Sequence, residues 1–538
     1  MMFVPFALLL VGTAAKPNVL FILTDDQDTR LGRSSDYTAL GSLEIMPQTQ
    51  KLLVDEGALL TNAFVNTPIC CPSRMQLLSG RYGHNIRDAR LDPFPDGAAT
   101  CGDEPVESPR VGSCGCMRMD CSRAFEEATY ANALQRSGYA TAYVGKYLNP
   151  PAMVRYCRNE TLGPLDHGWP PGWDAFFGMC DQASTPQGAY YSVNWVDSAA
   201  GAVVFTGSEP ANYTTSIVGN RSVAYLKLAP KDRPFFLAAA VRAPHAPQLP
   251  PPWYASAFPD ARVPREGAYN ATPTGKPYWM SRNPPLSDED AAEFDAVYAD
   301  RWRALLAVDD LVAGVFDELR ASSLIDDTYV FYTSDHGYHM GHFRLPPLKM
   351  HKYEFDIRVP LLATGPGLAP ASRREIAGFV DLAPTFLELG DVKPPKVMTG
   401  RSLVPVLESK QQGLVDAKRN WVITGRERHV ARARADLLGY PQRALRTPEF
   451  LYIINFKPDR WPMGDPYHLK ADKQPDFNTL ANNTFVTFGD LDASPTKAWL
   501  MQQVDVPKWK WHYDYACLLY TSDAADEGLG VDLGGRRI

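Results

Sequence analysis

A chain of 538 residues, 45% hydrophobic and 21% charged, is long enough for a large buried core, and its composition excludes a disordered or low-complexity protein. Its formal net charge of −7 gives no reason to expect a nucleic-acid partner. The 46 prolines and 25 tyrosines, without a repeat, predict many ordered loops around that core.

In chain order, residues 1–15 form a short apolar run ending in Gly12-Thr13-Ala14-Ala15 and read as a secretory signal peptide, although no Lys or Arg precedes the run. The run is too short to span a bilayer and no later stretch is apolar enough, so no transmembrane anchor is expected. Four apolar runs then end in polar or charged residues: 19–23 in Thr24-Asp25-Asp26, 141–144 in Gly145-Lys146, 235–241 in Arg242-Ala243-Pro244-His245, and 329–332 in Ser334-Asp335-His336-Gly337. Continuous apolar character predicts strands buried on both faces, as in a parallel sheet. Helical patterns at about 47–57, 122–137 and 288–321 lie between them, so the expectation is an α/β layered core with ligands gathered at the strand C-terminal ends. After about Gly400 the pattern shifts, and 420–423 and 450–455 read as a smaller antiparallel region.

From Cys517 the run CLLYTSDAADEGLGVDLGGRRI has no core pattern and reads as translated sequencing-adapter sequence, a non-native tail outside the fold. The expected organisation is therefore a signal peptide at 1–15, a main domain at 16–400, a C-terminal subdomain at 401–516 and the tail at 517–538. Sequons at Asn159, Asn212, Asn220, Asn270 and Asn482 fit a secretory route. So do the cysteines: Cys101, Cys114, Cys116, Cys121, Cys157 and Cys180 are an even set in one region, for which three disulfides are expected, with zinc at Cys114, Cys116 and Cys121 as the alternative.

The chemistry concentrates in Cys70-Cys71-Pro72-Ser73-Arg74, followed by a helix-like segment and Ser79-Gly80-Arg81. Taken alone, that pattern also describes a buried cysteine ahead of a helix. The deciding question is whether the chain supplies a metal site and anion-binding cations. Asp25, Asp26, Asp335 and His336 converging on one point would repel one another unless a cation sat among them. Oxygen-rich ligands suit a hard divalent ion, calcium before magnesium, while His336 leaves room for a transition metal.

Together these motifs resemble the type I, formylglycine-dependent sulfatases, over most of residues 17 to about 510. The resemblance implies an alkaline phosphatase-like sulfatase fold, with a mixed, largely parallel central sheet flanked by helices and a smaller C-terminal antiparallel sheet. It also implies that the formylglycine-generating enzyme oxidises Cys70 to formylglycine. Arg74 would stabilise the hydrated aldehyde, and Asp25, Asp26, Asp335 and His336 would bind the metal with Cys70 also touching it. Many members carry Asn at the position of His336, and some, including iduronate sulfatases, carry His. Lys146 and Lys349 match the sulfate-binding lysines, and His245 matches the histidine near the leaving oxygen. Lys352 reads as a surface cation. His84 is read equally as a pocket-rim, core or surface residue.

Where many sulfatases have a histidine two positions after the first lysine, this chain has Leu148. Gly145-Lys146-Tyr147-Leu148-Asn149, Cys-Cys-Pro-Ser-Arg and Tyr353-Glu354-Phe355-Asp356 are instead similar to glucosamine-6-sulfatases and the extracellular heparan 6-O-endosulfatases. The runs from Arg446 to Phe450 and from Trp461 to Pro466 look more like sulfamidases. The implied mechanism has one hydroxyl of the hydrated aldehyde attack sulfur, with Asp26 or its neighbour as base. His245 then protonates the departing sugar oxygen, and the second hydroxyl expels sulfate. The expected protein is thus a secreted or lysosomal sulfatase acting on a sulfated carbohydrate, of glucosamine-6-sulfate type first. The alternatives are a non-catalytic binder of sulfated glycans, and a sulfamidase or phosphoesterase of the same superfamily.

Overall fold

Each of the four apolar runs forms a strand, and the four lie side by side. The computed structural model describes residues 16–29, 41–86, 123–149, 153–158, 168–180, 189–265, 267–272, 285–411, 413–426, 442–455 and 519–523. Its large sheet is built from β1 (Asn18–Thr24), β2 (Ala58–Phe64), β3 (Ala140–Gly145), β4 (Ala175–Met179), β5 (Val193–Asp197), β6 (Ala202–Thr206), β7 (Phe235–Ala240), β8 (Thr328–Ser334), β9 (Leu361–Thr364) and β10 (Ala371–Gly378). The order is β10-β2-β9-β8-β1-β7-β3-β4-β5-β6, and β8, β1, β7, β3 and β4 run parallel to one another.

Side-chain alternation explains why the central strands need apolar residues at every position. In β1, Val19, Phe21 and Leu23 enter one core layer, where Phe21 meets Phe386 with ring centroids 5.2 Å apart. Leu20 and Ile22 enter the opposite layer, with the buried face of a 34-residue helix, Asp288–Ala321. That helix starts where the sequence predicted, because Ser287 and Asp290 form a capping box.

Two other helical patterns are more broken than expected. The one at 122–137 divides into Arg123–Glu127 and Tyr130–Arg136, because Thr129 leaves helical geometry and its hydroxyl caps the second helix at Asn132 N. The one at 47–57 is a short α turn, Pro47–Thr49, continuing into a π turn, Gln50–Val54.

A four-stranded antiparallel sheet follows: β11 (Val422–Arg426), β12 (Gln442–Arg446), β13 (Phe450–Asn455) and β14 (Leu519–Asp523). It is tied to the large sheet by Asn66, whose Nδ2 donates to Ile423 O at 2.7 Å and whose carbonyl accepts from Gly425 N at 2.7 Å. β14 lies inside the stretch expected to fall outside the fold. Its backbone pairs along the free edge of β13, where any short extended segment finds open N–H and C=O groups.

Among the predicted disulfide cysteines, Cys157 pairs with Cys180 at a Cα–Cα distance of 5.6 Å. Cys101, Cys114, Cys116 and Cys121 lie outside the described residues, as do residues 1–15 and the run from Trp461 to Pro466. Cys71, not in the predicted set, is disulfide-bonded. No helix among the described residues is long and apolar enough to cross a membrane.

Candidate active site

Four parallel strands deliver the site at their C-terminal ends, as open α/β sheets do. β1 ends at Thr24 and hands on Asp25 and Asp26, the latter in the left-handed region at φ 68°. β8, in register with β1, ends at Ser334 opposite Thr24 and hands on Asp335 and His336. β3 ends at Gly145, where φ is 114° and a Cβ would sit 1.8 Å from the carbonyl oxygen of Ala240. Only glycine allows that approach, and it lets Lys146 N donate to the same oxygen at 2.8 Å. β7 leads into the turn that carries His245.

The nucleophile position comes from a helix end. Cys70 is the first residue of α1 (Cys70–Ser79), so it stands at the positive end of the helix dipole. Arg74 lies one helical turn on, along the same face. Cys70 is a buried free thiol, with Sγ 3.4 Å from His336 Nε2, 3.5 Å from Lys349 Nζ and 3.7 Å from Asp25 Oδ1. The structure thus brings all nine predicted site residues into one cluster.

Three buried carboxylates are each matched by a buried cation. Lys146 Nζ binds Asp25 Oδ2, Lys349 Nζ binds Asp26 Oδ1 at 2.6 Å, and Arg74 Nε binds Asp335 Oδ2 at 2.8 Å. Arg74 also reaches Asp25 Oδ2 at 3.6 Å and donates to the Lys146 carbonyl. His336 lies between carboxylates, with Nδ1 3.2 Å from Asp26 Oδ1 and Nε2 3.4 Å from Asp335 Oδ1.

These pairings set the proton affinities. Burial pushes Asp25 up, but Lys146, His245 and Arg74 prevail and hold it well below the usual carboxylate range. Burial likewise opposes ionisation of Asp26, and Lys349, His245 and His336 bring it down to about 2. Asp335 goes the other way, to about 6, because burial and the neighbouring Asp25 outweigh His336 and Arg74. His336 is raised to about 9: burial disfavours its charge, but Asp335 and Asp26 favour it more. Burial and Asp25 resist a thiolate at Cys70, yet Lys146, Lys349 and His245 lower it well below the ordinary thiol. His245 is lowered, first by burial and then by Lys349.

The donor set fits a divalent cation. One ligand atom from each of Asp25, Cys70, Asp335 and His336 lies within 4.8 Å of the others, and Asp25, Asp26, Cys70 and His245 form a second such group. Asp26 Oδ2 is buried without a hydrogen-bond partner, as a carboxylate oxygen facing an ion would be.

The sequence reading missed the groups that hold these residues. Arg301, fully buried in the long helix, donates to Asp26 O at 2.6 Å, pairs with Asp28 Oδ2 at 2.8 Å and lies 4.2 Å from the centre of the Tyr338 ring. Arg242 Nη2 donates at 2.9 Å to Ala246 O, the carbonyl that His245 Nδ1 also faces, while Tyr190 OH donates to His245 O at 2.7 Å. Arg242 and Asp28 stand three and two positions from predicted residues, so proximity could have flagged them; nothing in a helical pattern marks Arg301. Lys352 corrects the reading as a surface cation: it is buried, and Nζ donates to Met350 O at 3.2 Å, because its loop folds inward beside Lys349. Leu148 is fully buried in the apolar core, consistent with the absence of a histidine there. His84 lies on a short 3-10 turn, Gly83–Asn85, and its side chain is outside the described set.

Comparison with known proteins shows the family. A Sulfatase family model matches residues 17–392, which contain all nine site residues. The chain belongs to the sulfatase family. It is 34% identical over 412 residues to the extracellular sulfatase SULF-1 homolog of Drosophila melanogaster, covering 76% of this chain and 32% of that protein. It is 33% identical over 406 residues to human N-acetylglucosamine-6-sulfatase, covering 74% of this chain and 66% of that one. The matches therefore span about a third to two-thirds of these relatives.

Among solved structures, a protein in complex with its substrate D-glucosamine-2-N,6-O-disulfate superposes with a TM-score of 0.58 at 19% identity, covering 93% of this chain and 98% of that one. The phosphonate monoester hydrolase of Silicibacter pomeroyi superposes with a TM-score of 0.56 at 17% identity, covering 94% and 99%. Both likenesses concern the fold, which this sulfatase-family chain shares with an enzyme of different chemistry. The reaction has to be argued from the site.

Proposed function

We propose that this protein hydrolyses sulfate esters of sulfated carbohydrates, of glucosamine-6-sulfate type, in the secretory pathway, as a secreted or lysosomal enzyme. The observation that carries the reading is the position of Cys70: a free buried thiol at a helix N-terminus, within 3.7 Å of groups from Asp25, His336 and Lys349. The relatives named as glucosamine-6-sulfatase and extracellular sulfatase support the substrate class.

Oxidised to formylglycine by the formylglycine-generating enzyme, position 70 would supply a hydrated aldehyde, with one hydroxyl to attack sulfur and another whose deprotonation expels sulfate. A divalent cation, calcium before magnesium, would be held by Asp25, Asp26, Asp335 and His336, with residue 70 beside it, and would supply Lewis-acid polarisation.

The remaining work falls to the chain itself. Lys146, Lys349 and Arg74 place fixed positive charge where a sulfate group and its transition state carry negative charge. Arg74 also orients residue 70 from the same helix face. Asp26, or Asp25 beside it, accepts a proton at the nucleophile. His245 delivers a proton to the departing sugar oxygen: its Nδ1 is engaged by Ala246 O at 2.8 Å, which leaves Nε2 for the transfer.

The test is mass spectrometry of the Cys70 peptide from protein made in secretory cells with the formylglycine-generating enzyme, paired with sulfate release from N-acetylglucosamine-6-sulfate. An aldehyde and released sulfate are expected. An intact thiol, with a control sulfatase converted in the same cells, would overturn the catalytic reading in favour of a sulfated-glycan binder.

A further inference from the structure

Lys349 is the one cation of the site that stands on neither a strand end nor a helix. It lies on an irregular segment between β8 and the short helix Glu354–Ile357, and its neighbour Met350 has φ 98°. An L residue keeps that conformation only where its surroundings impose it. Something must therefore hold this segment.

The holding group is a buried carboxylate that the mechanism does not use. Asp356 is fully buried, and its Oδ1 and Oδ2 lie 2.9 and 3.1 Å from His339 Nδ1. Its Oδ2 also accepts from His351 N at 2.7 Å. His339 in turn forms an isolated antiparallel bridge with Leu348, with N–O distances of 2.7 and 3.0 Å. Lys349 is thus bracketed: Leu348 is fixed through His339 on one side and His351 is fixed directly on the other. The backbone of the same element accepts from Gly337 N and Tyr338 N at 2.8 Å each, next to Asp335 and His336. One side chain joins the two stretches whose separation sets where the Lys349 ammonium sits.

We propose that Asp356 is a positioning residue for Lys349, holding its ammonium at Asp26 and Cys70 by bonding both His339 and the His351 amide. This rests on the reading of Lys349 as a sulfate-binding cation. A carboxylate suits the task because it accepts from two donors at once with little reorganisation. Asn at 356 keeps the volume but offers one acceptor and turns an N–H towards the remaining donor.

The test is a double-mutant cycle with Asp356→Asn and Lys349→Met in the full-length, formylglycine-converted protein, assayed on N-acetylglucosamine-6-sulfate and by inhibition with inorganic sulfate. Asp356→Asn alone is expected to lower kcat/KM and weaken sulfate inhibition, each by about 10–100-fold, the usual effect of losing a supporting partner of a site residue. In the Lys349→Met background the same change is expected to alter kcat/KM by less than about 3-fold, because the group it positions is gone. An equal loss in both backgrounds would show that Asp356 acts on the fold at large and would overturn the proposal.

Amide hydrogen exchange supplies a readout that needs no turnover. Residues 348–352 are expected to exchange faster in Asp356→Asn while the amides of β1 and β8 do not. Unchanged exchange at 348–352 would overturn the proposal even if the wild type were inactive, and inactivity alone would count only against the sulfatase reading. If Asp356→Asn fails to fold, His339→Gln in the same cycle removes one arm of the bracket, and the same coupling to Lys349→Met is required of it.

Discussion

Replacing Lys349 by Met removes one positive charge while keeping an unbranched chain of similar length. In the native site the ammonium is 2.6 Å from Asp26 Oδ1 and 3.5 Å from Cys70 Sγ, with 8% of the side chain exposed. Two effects must be separated. For folding, Asp26 Oδ1 keeps His336 Nδ1 at 3.2 Å, so the carboxylate is not left alone. The stability cost is then that of one charge-assisted hydrogen bond, about 1.5–3 kcal/mol. It falls short of the roughly 3–5 kcal/mol for orphaning a buried charge. For catalysis, the role proposed for Lys349 is that of a preorganised cation facing developing negative charge, and removing one such donor costs about 100–1000-fold in rate. Urea unfolding should therefore find a folded protein with a modest midpoint shift, while kcat/KM on N-acetylglucosamine-6-sulfate falls by that factor. A fall smaller than about 3-fold, under 1 kcal/mol of transition-state stabilisation, would refute the assignment of Lys349 to the sulfate pocket.

Arg74→Lys keeps the charge but not the planar fork that reaches Asp335, Asp25 and the Lys146 carbonyl together. It should lower kcat/KM by at least about 10-fold, and wild-type kinetics would contradict that role. Exhaustive chelation should abolish sulfate release while leaving the far-UV circular dichroism unchanged, because each site carboxylate has a cation of its own within 3.6 Å; activity should return with added divalent ion. Gly145→Ala drives a Cβ into Ala240 O and should cost at least about 1–3 kcal/mol in urea unfolding, with a matching loss of activity as Lys146 is displaced. Arg301→Leu removes the charge-assisted hydrogen bond to Asp28 and the one to the Asp26 carbonyl and should cost at least about 1.5–3 kcal/mol in the same assay; an unchanged midpoint would show both contacts to be dispensable.

The parts of this molecule that could be read from its sequence are those where chemistry and backbone periodicity coincide in a few consecutive residues. An apolar run that ends in Asp25-Asp26 or Asp335-His336 reports both a buried strand and what stands at its end, because a parallel strand is covered on both faces until it reaches the crevice. Cys70 and Arg74 were picked out by a motif resemblance, with the helix expected only after them; the helix in fact begins at Cys70, which puts Arg74 one turn away on the same face. The helix at 122–137 was misjudged because Thr129, an ordinary residue in a helical pattern, serves as a cap only once its neighbours fix its backbone.

The supporting groups form a different class. Arg301 and Asp28 are separated by 273 positions, and Asp356 acts through a histidine 17 residues away. Their partnership is created by the sheet order and leaves no local pattern. Their residue types are also those expected on a solvated surface, so a one-dimensional reading assigns them there by default. Burial reverses that reading. A charged side chain with no access to solvent must find a partner, and the partner it finds is a backbone or carboxylate that the site needs held still. Asp26 shows the consequence: its left-handed backbone is fixed by Arg301 at the carbonyl and its side chain by Lys349, and Lys349 is itself bracketed through Asp356. A motif names the groups that carry the proposed chemistry, while the long-range buried polar contacts determine where those groups stand.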